Sequence, residues 1–175
     1  MNEVINNIKT RRSIRKFKSD MPSSEDIKQI VDAGLCAPSG MSKQATITLV
    51  VKNKELRDKL SKANCKIGGW KEGFDPFYNA PVVLVVLADK AVPTSIYDGS
   101  LVMENMMLVA HSLGLGSIWI HRAKEEFEMD EFKQVLKELG IEGEYEGIGN
   151  MALGYIDGDM PKAHEIKEGR VYYID

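Results

Sequence analysis

Apolar residues along the chain fall into two periods. Over residues 2–9, Val4, Ile5 and Ile8 share one side, which predicts a short amphipathic helix. A second helix starts at Pro22-Ser23-Ser24-Glu25-Asp26, where a serine cap precedes acids in the first turn. Ile27, Ile30, Val31 and Leu35 keep its spacing, and Pro38-Ser39-Gly40 ends it. Residues 46–51 are β-branched and apolar and predict a strand; Asn53 then caps a helix over 54–63. Residues 81–88, Pro-Val-Val-Leu-Val-Val-Leu-Ala, form an unbroken apolar run of strand length. With no alternation visible, both faces of that strand are expected to be buried.

Residues 97–113 predict the central helix. Leu101, Val102, Met103, Met106, Met107, Leu108, Val109 and Leu113 point in nearly every direction around it, which places it inside the protein or inside a subunit interface. The methionines read as core filling. Gly114-Leu115-Gly116-Ser117 is expected to break this helix, with a buried strand at Ile118-Trp119-Ile120. Phe132, Val135, Leu136 and Leu139 mark an amphipathic helix that ends at Gly140, and residues 147–156 read as another apolar strand. Beyond Asp157 the chain turns polar and finishes on a short β-type segment, Arg170-Val171-Tyr172-Tyr173-Ile174. A lone tail of this kind needs a partner, such as another subunit. Mixed helices and apolar strands imply a sheet covered on both faces.

Residues 64–79 follow neither period. Gly68, Gly69, Gly73 and Pro76 stand beside Trp70, Phe74, Phe77 and Tyr78. Glycine breaks regular structure while the aromatic rings favour burial, so the segment is either a mobile cover over a site or a packed loop.

Composition narrows the class. At 175 residues the chain suits a single domain with a real core, and 43% apolar with 28% charged residues is ordinary for a globular protein. The net charge of −3 gives no support for nucleic-acid or membrane binding. No signal-like run or membrane-length apolar span is visible, which leads to the expectation of a cytoplasmic protein without a membrane partner. Cys36 and Cys65 lack metal-type spacing and read as free thiols.

Against that mild acidity, one stretch stands out. Arg11-Arg12-Ser13-Ile14-Arg15-Lys16 carries four cations and a hydroxyl in six residues, with Ile8, Ile14 and Phe17 spaced to pin it down. It is either a solvated basic face or a grip for phosphate, whose oxygens match the donor fork of arginine. His111 reads as a core or interface histidine, His121 as an exposed strand-end residue and His164 as solvated. Glu104 reads as the partner of a cation. No Ser-His-Asp or Cys-His arrangement is evident.

Five places together resemble the flavin-dependent nitroreductase family in its short form. They are Arg11-Arg12-Ser13-Ile14-Arg15-Lys16-Phe17; Ala37-Pro38-Ser39-Gly40-Met41-Ser42-Lys43-Gln44; Tyr78-Asn79-Ala80-Pro81-Val82-Val83; the run from Asn105 to Ile120; and Ala152-Leu153-Gly154-Tyr155 with the tail. They occur in the family's order across the whole chain. The resemblance implies an α+β, nitroreductase-like fold with a central, mostly antiparallel sheet flanked by helices, one domain over 1–175. It also implies an intertwined homodimer with FMN at the subunit interface and a tail from about 157 packing on the partner.

Residue by residue, the resemblance places Arg11, Arg12, Ser13 and Arg15 at the phosphate and ribityl end of FMN. Pro38, Ser39 and Gly40 lie where the loop approaches the flavin, often from the other subunit. Ser42 stands where the family usually has asparagine, and Gln44 keeps the family glutamine; Ala45-Thr46 replaces a common Pro-Trp pair. Trp119, Ile120 and His121 fall where main-chain groups run beside the flavin ring. Lys167 and Arg170 lie where the family has a second basic contact to the phosphate. Arg12 and Lys43 are candidate donors to the ring's N1–O2 edge.

The activity implied is hydride transfer from NAD(P)H through bound flavin to an electron-poor small molecule, such as a nitroaromatic, quinone or activated alkene. Donor and acceptor would share one pocket in a ping-pong cycle, and no protein side chain need be catalytic because the flavin carries the chemistry. A non-catalytic FMN-binding sensor or carrier fits the same motifs. A small nucleic-acid-binding protein would also use the cations, though the acidic balance opposes it. The chain shows no inserted lid long enough for the family members that remodel flavin or remove halogen from an aromatic ring.

Overall fold

A computed structural model describes residues 2–174; Met1 and Asp175, the two ends of the expected span, lie outside the described residues. The elements run in the order α1 (Glu3–Thr10), α2 (Ser24–Leu35), a short 3-10 turn (Gly40–Ser42), β1 (Thr46–Val51), α3 (Lys54–Ile67), β2 (Val82–Asp89) and α4 (Ser95–Ser112). They continue with β3 (Leu115–Ile120), α5 (Ala123–Glu128), α6 (Asp130–Glu138) and β4 (Tyr145–Tyr155). The helix starts follow their caps: Asn2, Ser23 and Asn53 each accept backbone N–H bonds from the first turn.

The four described strands form one sheet in the order β1-β2-β4-β3, every pair antiparallel. β2 is its spine. Val82 through Ala88 are fully buried, and alternate residues serve two cores. Val83, Val85 and Leu87 pack with Phe77, Phe127, Phe132 and Ala152 on one face. Val82, Leu84 and Val86 pack with Met103, Met106, Met151 and Leu153 on the other, beneath α2 and α4. Each such side chain contributes about 1.5–3 kcal/mol of burial, so a polar residue in this run would be among the costliest changes in the chain.

The cationic segment is laid along the β3 edge. The Ile14 N–H donates to the Ser117 carbonyl at 3.0 Å, Ser13 and Ser117 form a parallel bridge, and Phe17 bridges to Ile156. Ile14 and Phe17 are buried and anchor the segment as expected, but Ile8, the third residue of that spacing, is exposed on α1. Gly116 makes the close approach possible: a Cβ there would sit 2.9 Å from an Ile14 side-chain carbon.

Several expectations need correction. The helix break is Gly114 alone, in the left-handed region at φ 75°; Leu115, Gly116 and Ser117 already belong to β3. α3 runs on to Ile67, and α5 was not foreseen, because six residues give too little periodicity to read. Within the single chain residues 170–174 lie outside the sheet, and the partner expected for them is another subunit. The tail leaves β4, a central strand, and residues 158–174 are exposed with no neighbour to complete a ladder. No described helix is long and apolar enough to cross a membrane.

Candidate functional site

The cationic segment meets the second half of α4. Arg11 caps α1, and its Nε lies 3.9 Å from the Glu104 carboxylate, so Glu104 faces a cation as expected. Arg12 Nη1 donates to the carbonyls of Lys9 (2.8 Å) and Arg11 (2.7 Å), which fixes the guanidinium. Yet Arg11 Nη1 and Arg12 Nε are buried with no acceptor. A buried guanidinium N–H without a partner is costly, and an anion seated there would relieve both. His111 lies beside Thr10, with 2.9 Å between Nε2 and the hydroxyl. Burial, then the charges of Arg11 and Arg12, hold its pKa below the usual histidine value, which keeps a further positive charge away from the cluster. Ser13 is half-buried, and Arg15 is exposed, lining a separate hollow with Phe74 and Tyr78.

The 38–44 loop is clipped to the opposite end of α4. The Gly40 N–H donates to both carboxylate oxygens of Asp98, at 3.1 and 3.2 Å, and Thr94 donates to the same group at 3.1 Å. A Cβ on Gly40 would fall 2.2 Å from the Thr94 hydroxyl, so only glycine fits. Met41, Ser42 and Gln44 all hold positive φ, an unusual run for residues with side chains. Pro38, Ser42 and Gln44 are exposed; Ser39 Oγ accepts the Gln44 N–H at 3.1 Å. Arg11 meets the same helix at Glu104, six residues or about 9 Å along it from Asp98. Among the described residues, no hydrogen bond or ion pair joins this loop to the arginines.

A third group sits where β3 ends. Trp119 lies over Gly149, and Ile120 pairs with Asn150. His121 is exposed, and its carbonyl accepts from Asn64 Nδ2 at 2.8 Å. Arg122 follows in the left-handed region at φ 82°, with its guanidinium 5.9 Å from the centre of the Trp70 ring, a cation–π contact. Beneath this corner Glu126 is fully buried. Asn64 Nδ2 donates to its Oε1 at 2.9 Å and Asn150 Nδ2 to its Oε2 at 2.7 Å. Sequence reasoning missed Arg122, Glu126 and Asn150, and had Asn64 only as a loop boundary. A lone glutamate in a charged stretch gives no sign of burial; the one available signal was the apolar Ala123 and Phe127 flanking it.

Segment 64–79 divides in two. Asp75 accepts from Arg57, Ser61 (2.6 Å) and the N–H groups of Phe77 (2.9 Å) and Asn79 (2.7 Å). Burial raises the Asp75 pKa, but these donors outweigh it and hold the carboxyl below the usual range. Phe77 is thereby locked in the core, while Trp70 (51% exposed) and Phe74 (39%) stack outside it, ring centres 5.7 Å apart. A cavity of about 740 Å³ lies between this part and α3, lined by Arg57, Ser61, Cys65, Trp70 and Phe74. None of the residues expected to touch FMN lines it.

The nitroreductase family model matches residues 8–67 and 69–155, which include the cationic segment, the 38–44 loop and the whole sheet. The chain belongs to the nitroreductase family. A protein of Methanothermobacter thermautotrophicus, provisionally named an NADH dehydrogenase/NAD(P)H nitroreductase, is 34% identical over 121 residues, 67% of this chain and 60% of that relative. One of the same provisional name from Archaeoglobus fulgidus is 32% identical over 160 residues, 89% of this chain and 86% of the relative. Among solved structures, a Bacteroides fragilis nitroreductase with bound FMN superposes with a TM-score of 0.89 at 29% identity, covering all of both chains. The sheet and its flanking helices are thus the nitroreductase fold. Lys167 and Arg170 lie on the exposed tail; among the described residues neither makes a side-chain hydrogen bond or ion pair.

Proposed function

We propose that this nitroreductase-family protein is an FMN-dependent oxidoreductase acting as a homodimer. It takes hydride from NAD(P)H and passes electrons to an electron-poor acceptor, a nitroaromatic, quinone or activated alkene. The observation that carries the reading is the pair of buried guanidinium N–H groups on Arg11 and Arg12 that lack an acceptor. In charge and in donor type they suit the phosphate of FMN. Ser13 and Arg15 would serve the same end of the cofactor, and Lys167 or Arg170 of the tail would add a second cation. Trp119, Ile120 and His121 would run beside the ring. Bound FMN would supply the acceptance and release of hydride, with the protein contributing position and charge.

The homodimer part rests on surfaces left open in one chain. α1 buries no residue of its own, and Val4, Ile5 and Ile8 stay exposed together with Ile96, Tyr97 and Leu101 of α4. The tail adds Val171, Tyr172, Tyr173 and Ile174, all exposed. Apolar area of this extent favours a partner of the same kind. A second copy would bring its Pro38, Ser39, Gly40, Ser42 and Gln44 to the site that the first chain leaves incomplete. One pocket serving donor and acceptor in turn gives ping-pong kinetics.

The test is direct. Purified protein should be yellow and dimeric, and should oxidise NADH or NADPH in the presence of a quinone, with parallel lines in double-reciprocal plots. A yellow protein with no acceptor-dependent NADH loss is a flavin-binding module without turnover. A colourless monomer that stays colourless with added FMN overturns the reading altogether.

A further inference from the structure

The Glu126 cluster is buried polar chemistry that the proposed reaction does not use. Glu126, Asn64 and Asn150 are each wholly buried, and they come from α5, α3 and β4. A primary amide carries two N–H groups. Asn64 directs its Nδ2 to both Glu126 Oε1 (2.9 Å) and the His121 carbonyl (2.8 Å). The carboxylate thus dictates which way the amide faces, and the amide in turn holds the main chain where β3 ends. The amide oxygens of Asn64 and Asn150 are left buried with no donor. No cation forms an ion pair with Glu126 among the described residues, so this carboxylate relies on two neutral amides.

We propose that Glu126 acts through Asn64 as a positioning residue for the His121–Arg122 corner of the FMN site. The inference rests on the flavin reading above, in which that corner borders the ring. The corner has little slack: Arg122 sits in the left-handed region and its side chain leans on Trp70 of the 64–79 segment.

A proton on Glu126 changes the arrangement. Its O–H needs an acceptor, and the two donorless amide oxygens belong to the same asparagines that now donate to it, so one amide must turn over. If Asn64 turns, the His121 carbonyl loses its donor. Burial pushes the Glu126 carboxyl up to about 7; the Asn150 and Asn64 bonds and Arg122 act against the rise, and Glu125 adds to it. α3 and β4 meet the group with neutral Asn64 and Asn150, β2 is apolar from Val82 to Ala88, and α6 packs on α5 through Phe132 against Phe127. Arg122, Glu125 and the nearby His121 are therefore the charged and titratable groups around it.

The experiment follows the holoenzyme from about pH 5.5 to about pH 8.5, reading FMN release on dilution by flavin fluorescence and quinone kcat/KM in parallel. The wild type should show an inflection near pH 7 in both, about three- to tenfold in size, the worth of one hydrogen bond. Glu126→Gln should stay folded and yellow, lose the inflection and hold the wild type's low-pH value throughout. Asn64→Ala should also lose it, because Glu126 would still titrate but no longer reach the corner; this variant decides the matter if Glu126→Gln fails to fold. A flat wild-type profile, or an inflection that survives in either variant, overturns the positioning role. Wild-type protein that binds no FMN at any pH overturns the flavin reading instead.

Discussion

The cationic segment and the Glu126 corner solve opposite problems with charge. On the β3 edge, Arg11 and Arg12 are fixed by backbone carbonyls and by Glu104, yet keep buried donors that nothing in the chain satisfies. At the far end of the same strand, Glu126 is satisfied within the chain by two amides and is sealed from water. The first region leaves donors unanswered; the second answers its carboxylate but leaves the amide oxygens of Asn64 and Asn150 without a donor. In the proposed reading the unanswered guanidinium donors await the phosphate of FMN, while the amide-bonded acid keeps its surroundings in place.

The largest effect that would break this contrast lies on the cationic side. Replacing Arg11 and Arg15 together by alanine should leave a folded but largely FMN-free dimer. Two lost charge-assisted bonds at about 1.5–3 kcal/mol each weaken binding by roughly two to four orders of magnitude. Full flavin occupancy in the double variant, read from the ratio of visible to protein absorbance, removes these residues from the phosphate.

The next effect concerns stability, and its sign is opposite to that of a paired surface carboxylate. The Glu126 pKa is raised in the folded state, so its contribution is fully present below the unfolded value of 4.5 and is lost as pH rises through about 7. From this group alone the protein should be less stable at pH 8 than at pH 5, by up to about 3 kcal/mol. Glu126→Gln should flatten that dependence and raise the melting temperature relative to wild type above neutrality. Chemical denaturation at the two pH values checks it; equal slopes in wild type and variant would show that Glu126 does not carry the burden.

A third change sharpens the comparison from the loop that belongs to neither region within one chain. Gly40→Ala drives a methyl into Thr94 and costs about 1–3 kcal/mol, seen as a lower melting temperature and, if the loop serves the partner's site, weaker FMN binding. The smallest effect separates the two regions by salt. Raising ionic strength should weaken FMN binding severalfold, because partly exposed cations are screened, while the inflection assigned to Glu126 should not move. An inflection that shifts with salt would point to a surface group.

The sequence made the strands and most helices readable because their signals are local. Ser23 and Asn53 cap where a cap was expected, and residues 82–88 are buried on both faces as an unbroken apolar run implies. The cationic segment was also readable, since clustered arginines in an acidic chain are conspicuous. What escaped depended on contacts across the fold. α5 is too short to show a period, and Asn64, Asn150 and Glu126 lie far apart in sequence. The expected FMN residues fall in four places, at the β3 edge, at the start of α4, at the end of β3 and on the exposed tail.

By itself, then, the sequence determined which segments become helix and strand, which run forms the spine of the sheet, and where positive charge is concentrated. Those properties follow from side-chain chemistry repeated at short range. Only the tertiary structure decided that two of those arginines keep buried, unanswered donors, that the 38–44 loop is clipped to Asp98 at the start of α4, and that a glutamate from a charged stretch is sealed under the end of β3. Burial and hydrogen-bond satisfaction are properties of what surrounds a residue, and that is assembled from distant parts of the chain.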